Sequence, residues 1–493
     1  MSSAERPSRS FARGTVSRDA AWALAYSSVL RLATLGVSVA VARAAGSAGT
    51  GAFGIALQIT ALAGMVAAFN LPQSLAKHLA ESGDPARQRA LVRTSGLLVL
   101  GLGVVVGGLL MALAGWLGAS VYRDPSLAPV IFWCGPLVLA TVGFAWVEGA
   151  LQGMRRFETL TRWGAAVSSL DLVVGIAAAF WGVATVLVTR IAVRALAVAF
   201  ALGRWLRIGA PRRDPGGAAP SEAPFVVTAA PLLGFAGPAL LAGGIVLITN
   251  AVLRLLMVRG AGLAEAGQYQ AADSVAQGLT LIPASAATAF MRAVSSERST
   301  GYPTLPGALR RGLERVQGYN LGLCLVTIGV VPWATVALFG RDFTAARPAL
   351  VLLATGYGLL GACSTFGATM LGRGEVWTGV AVNLMWAAIV LGLYGTGAVP
   401  RNAAGAALAV AIASLVLLLV SVLVVAPRWT IPVRGLLPVV LVTVGSLAVG
   451  CALALSRSVP APVVAVACLA LGAAIFLRWG LPTLPWGSRA PRA

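Results

Sequence analysis

A chain of 493 residues with 58% apolar and 11% charged side chains lacks the polar surface of a soluble domain, in which about 25% of residues are charged. Its formal net charge of +21 calls for no nucleic-acid partner, because anionic headgroups on the inner membrane face attract basic loops. The five cysteines lie inside apolar runs and His78 is the single histidine, so neither a disulfide framework nor a metal site is indicated.

The first 19 residues form a basic head with Arg6, Arg9, Arg13 and Arg18. The apolar segment 20 to 42 that follows exceeds the roughly 7 to 15 residues of a signal-peptide core and has Arg31 at its middle, so it is expected to be a retained first helix. Further apolar runs occupy 52 to 70, 95 to 118, 128 to 150, 163 to 181, 183 to 203, 226 to 258, 268 to 291, 318 to 339, 348 to 371, 377 to 395, 403 to 426, 433 to 455 and 460 to 479. Their lengths predict an all-α integral membrane protein with about fourteen transmembrane helices, since a helix crosses the bilayer in about 20 residues. Pro231 and Pro238 predict that the overlong seventh run tilts, kinks or begins as an interfacial segment.

The chain is built twice. Arg43, Gly46, Gly51, Phe53 and Ala56 recur at one offset as Arg259, Gly262, Gly267, Tyr269 and Ala272, and Leu151, Phe157 and Ala184 recur as Leu371, Trp377 and Ala404. The expected organisation is the head at 1–19, an N-lobe of six helices at 20–204, a cytoplasmic linker at 205–225, and a C-lobe of six helices at 226–426. Two further helices at 427–479 and a tail at 480–493 complete the chain. In membrane proteins an internal repeat points to a transporter with its site where the copies meet. The stretch LPGALRRGLERVQGY sets Leu305, Leu309, Leu313 and Val316 opposite Arg310, Arg311 and Arg315. This pattern suits an amphipathic helix on the inner membrane surface or an extension of the ninth helix.

Basic residues fall unevenly between the two sides. Apart from four arginines within spans, only Arg43, Arg123, Arg259, Arg341, Arg347, Arg401 and Arg457 lie on one side, and all the rest of the 37 lie on the other. The positive-inside rule therefore places both termini in the cytoplasm.

No nucleophile with a partnered base and no phosphate-cradling glycine loop occurs, so the chain reads as a non-enzyme that needs no cofactor and no metal. The informative residues are charges at membrane depth, which are costly and by default functional. Arg31, Arg190, Arg194 and Arg254, with Asn250, are the candidate substrate-binding residues, because a guanidinium keeps its charge when buried and pairs bidentately with phosphate. Asp171, Asp273 and Glu148 are their candidate charge partners or coupling groups. Asp171 is expected level with Arg190 and Arg194, and Asp273 level with Arg254, while Arg31 has no evident partner. The alternative for each pair is a buried ion pair that only stabilises its module. Gln58 and Asn383 are further polar residues within spans.

Several stretches resemble the polysaccharide flippase branch of the MATE-like, mouse-virulence-factor-related exporters. They are Ala42 to Gly54, NLPQSLAKHLAE at Asn70 to Glu81, ALQGMRRFE at Ala150 to Glu158, AADSVAQGLTLIP at Ala271 to Pro283, LFGRDFTAARPALVLLA at Leu338 to Ala354 and NAAGAA at Asn402 to Ala407. The resemblance implies two six-helix lobes flanking a central cavity, plus two C-terminal helices that in lipid II flippases form a groove for the lipid tail. It implies export of a polyprenyl-diphosphate-linked oligosaccharide across a bacterial or archaeal cytoplasmic membrane for cell-surface polysaccharide biosynthesis. The implied partners are that lipid-linked saccharide, membrane lipids and other polysaccharide-assembly proteins. Other readings are a cation-coupled multidrug or small-molecule antiporter of the same superfamily and a non-transporting scaffold. A membrane glycosyltransferase would need acidic residues in a sizeable outer loop, and none is present.

Overall fold

The computed structural model describes residues 9–82, 84–209, 225–296, 305–429, 431–456 and 459–480. Every regular element among these residues is helical, as expected where the bilayer offers the backbone no other partners. Among the described residues twelve helices are long and apolar enough to cross a membrane, two of them 44 and 45 residues long. Those two correspond to runs expected to be separate helices. The expected number of fourteen is reached only if each of the two crosses twice.

Both long helices bend at the repeated turn. The helix α1 (Arg9–Ala68) has a single non-helical residue, Gly46, at φ 65° and ψ −164°. The helix α7 (Phe225–Ala276) has its own at Gly262, φ 86° and ψ 177°. Glycine adopts this backbone region without steric cost, which explains why it stands at both positions. Pro231 and Pro238 lie within the helical part of α7 that precedes the Gly262 bend.

A short helix absent from the expectation, α2 (Leu71–Glu81), begins after Asn70 in the left-handed conformation and buries Leu71, Ser74, Leu75 and Leu79. It is followed by α3 (Pro85–Trp116), α4 (Ala128–Gly153), α5 (Phe157–Ala179) and α6 (Val183–Gly209). The second half continues with α8 (Leu281–Ser296), α9 (Leu305–Phe339), α10 (Ala346–Arg373), α11 (Val376–Thr396), α12 (Ala403–Val420), α13 (Val433–Leu455) and α14 (Ala461–Ile475). The duplication shows in the element starts: α6 and α12 begin at Val183 and Ala403, the same spacing as between Leu151 and Leu371. The amphipathic stretch from Leu305 is the first part of α9, and its Leu309 and Leu313 are fully buried by protein.

The helices form two compact units, Met1–Val37 with Ala56–Leu241 and Ser38–Ile55 with Ala242–Ala493. This division departs from the expected boundary at the Pro/Gly-rich linker in two places. The segment around the Gly46 bend belongs to the second unit, and the start of α7 belongs to the first. In the first unit α4 is central and packs against α2, α3, α5 and α6. The Trp146 indole N–H donates to the Ser95 hydroxyl at 3.0 Å and ties α4 to α3. In the second unit α10 is central, packed by α8, α9, α12 and α13, and α14 lies against α9. There the Arg43 side chain donates to the Ala337 and Leu338 carbonyls, a favourable site for a cation because it ends α9.

Candidate functional site

Within the first unit, contacts of α1 with α5 fix the depth of Arg31. Tyr26 lies against Gly164, Gly36 against Leu172 and Val37 against Gly175, so the register sets Arg31 level with Ser168 and Asp171. Arg31 is half-buried and engaged in an interaction, which corrects the expectation that it lacks a partner.

The tight turn after α5 brings α6 back beside it and sets Arg190 against Asp171. The Arg190 Nε donates to both carboxylate oxygens, at 3.2 and 3.0 Å, and Nη2 lies 2.9 Å from Oδ2. The side chains are 3% and 14% exposed, so the guanidinium of Arg190 is already committed to a carboxylate.

Arg194, one turn further along α6, is situated differently. Its single hydrogen bond among the described residues goes from Nη1 to the Thr141 hydroxyl, and its guanidinium carbon lies 5.9 Å from the centre of the Phe144 ring. Thr141, Phe144 and Glu148 are spaced along one face of α4. No carboxylate forms an ion pair with Arg194 among the described residues, which leaves most of its five N–H donors without a partner. Glu148 and Arg194 are both half-buried. The Phe144 ring stacks on Trp163 of α5, with centroids 4.5 Å apart and planes 18° apart.

In the second unit Arg254 and Asp273 stand on either side of the Gly262 bend. Arg254 Nη2 donates to Asp273 Oδ2 at 2.6 Å, with the side chains 8% and 4% exposed. Arg254 Nη1 also donates to the Gly54 carbonyl at 3.0 Å. Asp273 accepts from Gln277 Nε2 at 2.8 Å and from the Tyr357 hydroxyl at 2.6 Å. The network therefore joins the last part of α1, both arms of α7, and α10. With every Asp273 oxygen occupied, this site resembles a fastener more than a ligand pocket. Asn250 is half-buried one turn before Arg254, Gln58 is buried and Asn383 is half-buried.

The sequence reading paired the charges but missed Thr141, Phe144, Trp163 and Tyr357. A polar or aromatic residue in an apolar helix looks like ordinary packing until its neighbours are known. The fourfold spacing from Phe144 to Glu148 was the one usable signal.

Solved structures share this fold. The inward closed conformation of the lipid II flippase MurJ aligns at a TM-score of 0.67 and 14% identity, covering 93% of this chain and 97% of that one. An inward-facing multidrug resistance MATE family transporter of the MOP superfamily aligns at 0.67 and 14% identity, covering 81% and 94%. A MOP superfamily transporter from Pyrococcus furiosus, described as having a binding pocket of reverse polarity, aligns at 0.62 and 15% identity, covering 84% and 95%. At these identities the likeness concerns the fold alone. No curated protein matches the chain. The model of the polysaccharide biosynthesis protein family matches residues 16–294, more than half of the sequence, and the chain belongs to that family.

Proposed function

We propose that this multi-pass membrane protein is a flippase that moves a polyprenyl-diphosphate-linked oligosaccharide outward across a bacterial or archaeal cytoplasmic membrane by alternating access, with both termini in the cytoplasm. The observation that carries the reading is Arg194, a half-buried arginine within a span whose only hydrogen-bond partner among the described residues is a neutral hydroxyl. An arginine at the centre of a membrane helix costs about 2.5 to 3.5 kcal/mol on insertion scales, and a diphosphate would supply both the missing acceptors and the countercharge. Arg31 at the level of Asp171 and the committed Arg190 add positive potential without competing for the same oxygens. Membership in a polysaccharide biosynthesis family and a fold shared with a lipid II flippase agree with a lipid-linked saccharide.

An organic-cation antiporter would instead call for acidic residues in excess. The charges gathered in the first unit, Arg31, Arg190 and Arg194 against Asp171 and Glu148, favour an anion. The test is a reconstituted assay with a fluorescent polyprenyl-diphosphate disaccharide in proteoliposomes. Protein-dependent loss of the probe from one leaflet is expected. Movement of quaternary ammonium dyes without any movement of the lipid-linked sugar would transfer the protein to the drug antiporters.

A further inference from the structure

The first unit also holds two polar groups that the diphosphate reading does not use. The Tyr26 hydroxyl and the Trp163 indole N–H are buried and have no hydrogen-bond partner among the described residues. Tyr26 is 7% exposed, and its ring lies against Gly164, the residue next to Trp163. An orphaned buried donor costs about 1–3 kcal/mol, and two within one packed cluster of the first unit call for an explanation beyond packing. The Trp163 ring is stacked on Phe144, and Phe144 in turn carries Arg194 over its ring.

We propose that Tyr26, Trp163 and Phe144 form the subsite for the first sugar of the lipid-linked saccharide, with Arg194 as the adjoining diphosphate subsite. The assignment rests on the flippase reading above and names the residues that meet the carbohydrate. The first sugar is joined directly to the distal phosphate, so its subsite has to adjoin the phosphate-binding arginine. In the structure Arg194, Phe144 and Trp163 follow one another at 5.9 and 4.5 Å. A pyranose offers an apolar C–H face to an aromatic ring and a rim of hydroxyls to polar groups. A site of mostly apolar lining with a few placed hydrogen-bonding groups meets both needs. The Trp163 N–H donates to a sugar hydroxyl, and the Tyr26 hydroxyl donates to or accepts from another. Both atoms are covered in the present conformation, so sugar entry requires α1 and α5 to part locally around Gly164. The orphaned groups then gain partners only when the saccharide is bound.

The test compares two probes on detergent-purified full-length protein: polyprenyl diphosphate alone and the same lipid carrying one N-acetylhexosamine. Tyr26→Phe keeps the ring and removes only the hydroxyl, whereas Trp163→Phe removes the indole N–H together with part of the ring that stacks on Phe144. Each is expected to weaken binding of the glycosylated lipid by about 3- to 10-fold, the worth of one hydrogen bond, and to leave the bare lipid unaffected. Because Tyr26→Phe removes an unsatisfied group without changing the ring, its ligand-free melting temperature should stay level or rise, whereas Trp163→Phe also loses packing and should melt lower. Arg194→Gln should weaken both probes. Equal weakening of both lipids by the phenylalanine variants, or no weakening of either, would overturn the sugar subsite while the flippase reading stands. Binding of neither probe by the unaltered protein would overturn both.

Discussion

Gly51 and Gly267 meet backbone to backbone, and each lies against the carbonyl one turn before the other. A Cβ on Gly51 would strike the Leu263 carbonyl, and one on Gly267 would strike the Ser47 carbonyl. The two residues are repeat partners, so the duplicated turn packs against its own copy within the second unit. Gly51→Ala and Gly267→Ala should each destabilise the protein by about 1–3 kcal/mol, since a methyl there meets backbone that cannot rotate away. Gly115→Ala, with open space around it, is the control. Thermal melts in detergent check this, and unchanged melting for both variants would show that the turns do not need close contact.

The buried pair of Arg190 and Asp171 gives a stability prediction. Asp171→Asn leaves a guanidinium that is 3% exposed without a countercharge, and breaking such a pair costs about 3–5 kcal/mol. The folded yield should fall sharply and recover in Asp171→Asn combined with Arg190→Gln. A folded single variant with wild-type melting would remove Asp171 from any structural role.

For Asp273 the expectation is an ordering. Tyr357→Phe removes one of its hydrogen bonds and should cost about 1.5–3 kcal/mol, as a bond to a charged group. Arg254→Ala should cost more, because it strands the carboxylate and frees the Gly54 carbonyl. Chemical denaturation of the two variants in parallel reads the order, and the reverse order would mean that the tyrosine holds the site.

Transport variants separate the arginines. Arg194→Gln and Arg31→Ala should insert and fold normally while losing flippase complementation. Arg194→Lys should recover it only in part, because an ammonium cannot present the planar fork. Full complementation by Arg194→Gln at normal expression would refute a diphosphate site at that residue.

The distribution of basic residues predicts sidedness. Cysteines placed at positions 156 and 311 should be protected from an impermeant thiol reagent on intact cells, and those at 124 and 342 should react. Arg156, Arg311 and Asp342 are exposed in the structure, so protection there reports the membrane barrier. Labelling at 311 without labelling at 342 would invert the topology.

The repeat and the ion pairs were legible in the sequence for physical reasons. A backbone bend at positive φ demands glycine, which made Gly46 and Gly262 recur visibly, and a charge in an apolar run is rare enough to mark itself. The turn spacing then brought Asp171 to Arg190 and Arg254 to Asp273. The short α2 was not legible, because its burial of Leu71, Leu75 and Leu79 depends on neighbours far along the chain. Nor was the membership of the two units. Arg43 and Gly46 look like the end of one helix, yet the segment they belong to packs with the second unit, and nothing in local composition announces such an exchange.

The two bends are not mechanically alike. Arg254 and Asp273 brace the Gly262 elbow like a strut, and both ends of the strut belong to the second unit. At the matching positions around Gly46 stand Ser38 and Leu57, which offer no opposite charges for a brace and fall in different units. One elbow therefore carries a charged cross-tie, while the matching positions of the other hold none. Grafting a brace onto the first elbow, with Ser38→Arg and Leu57→Asp, would make the copies alike again and show whether the protein depends on their difference.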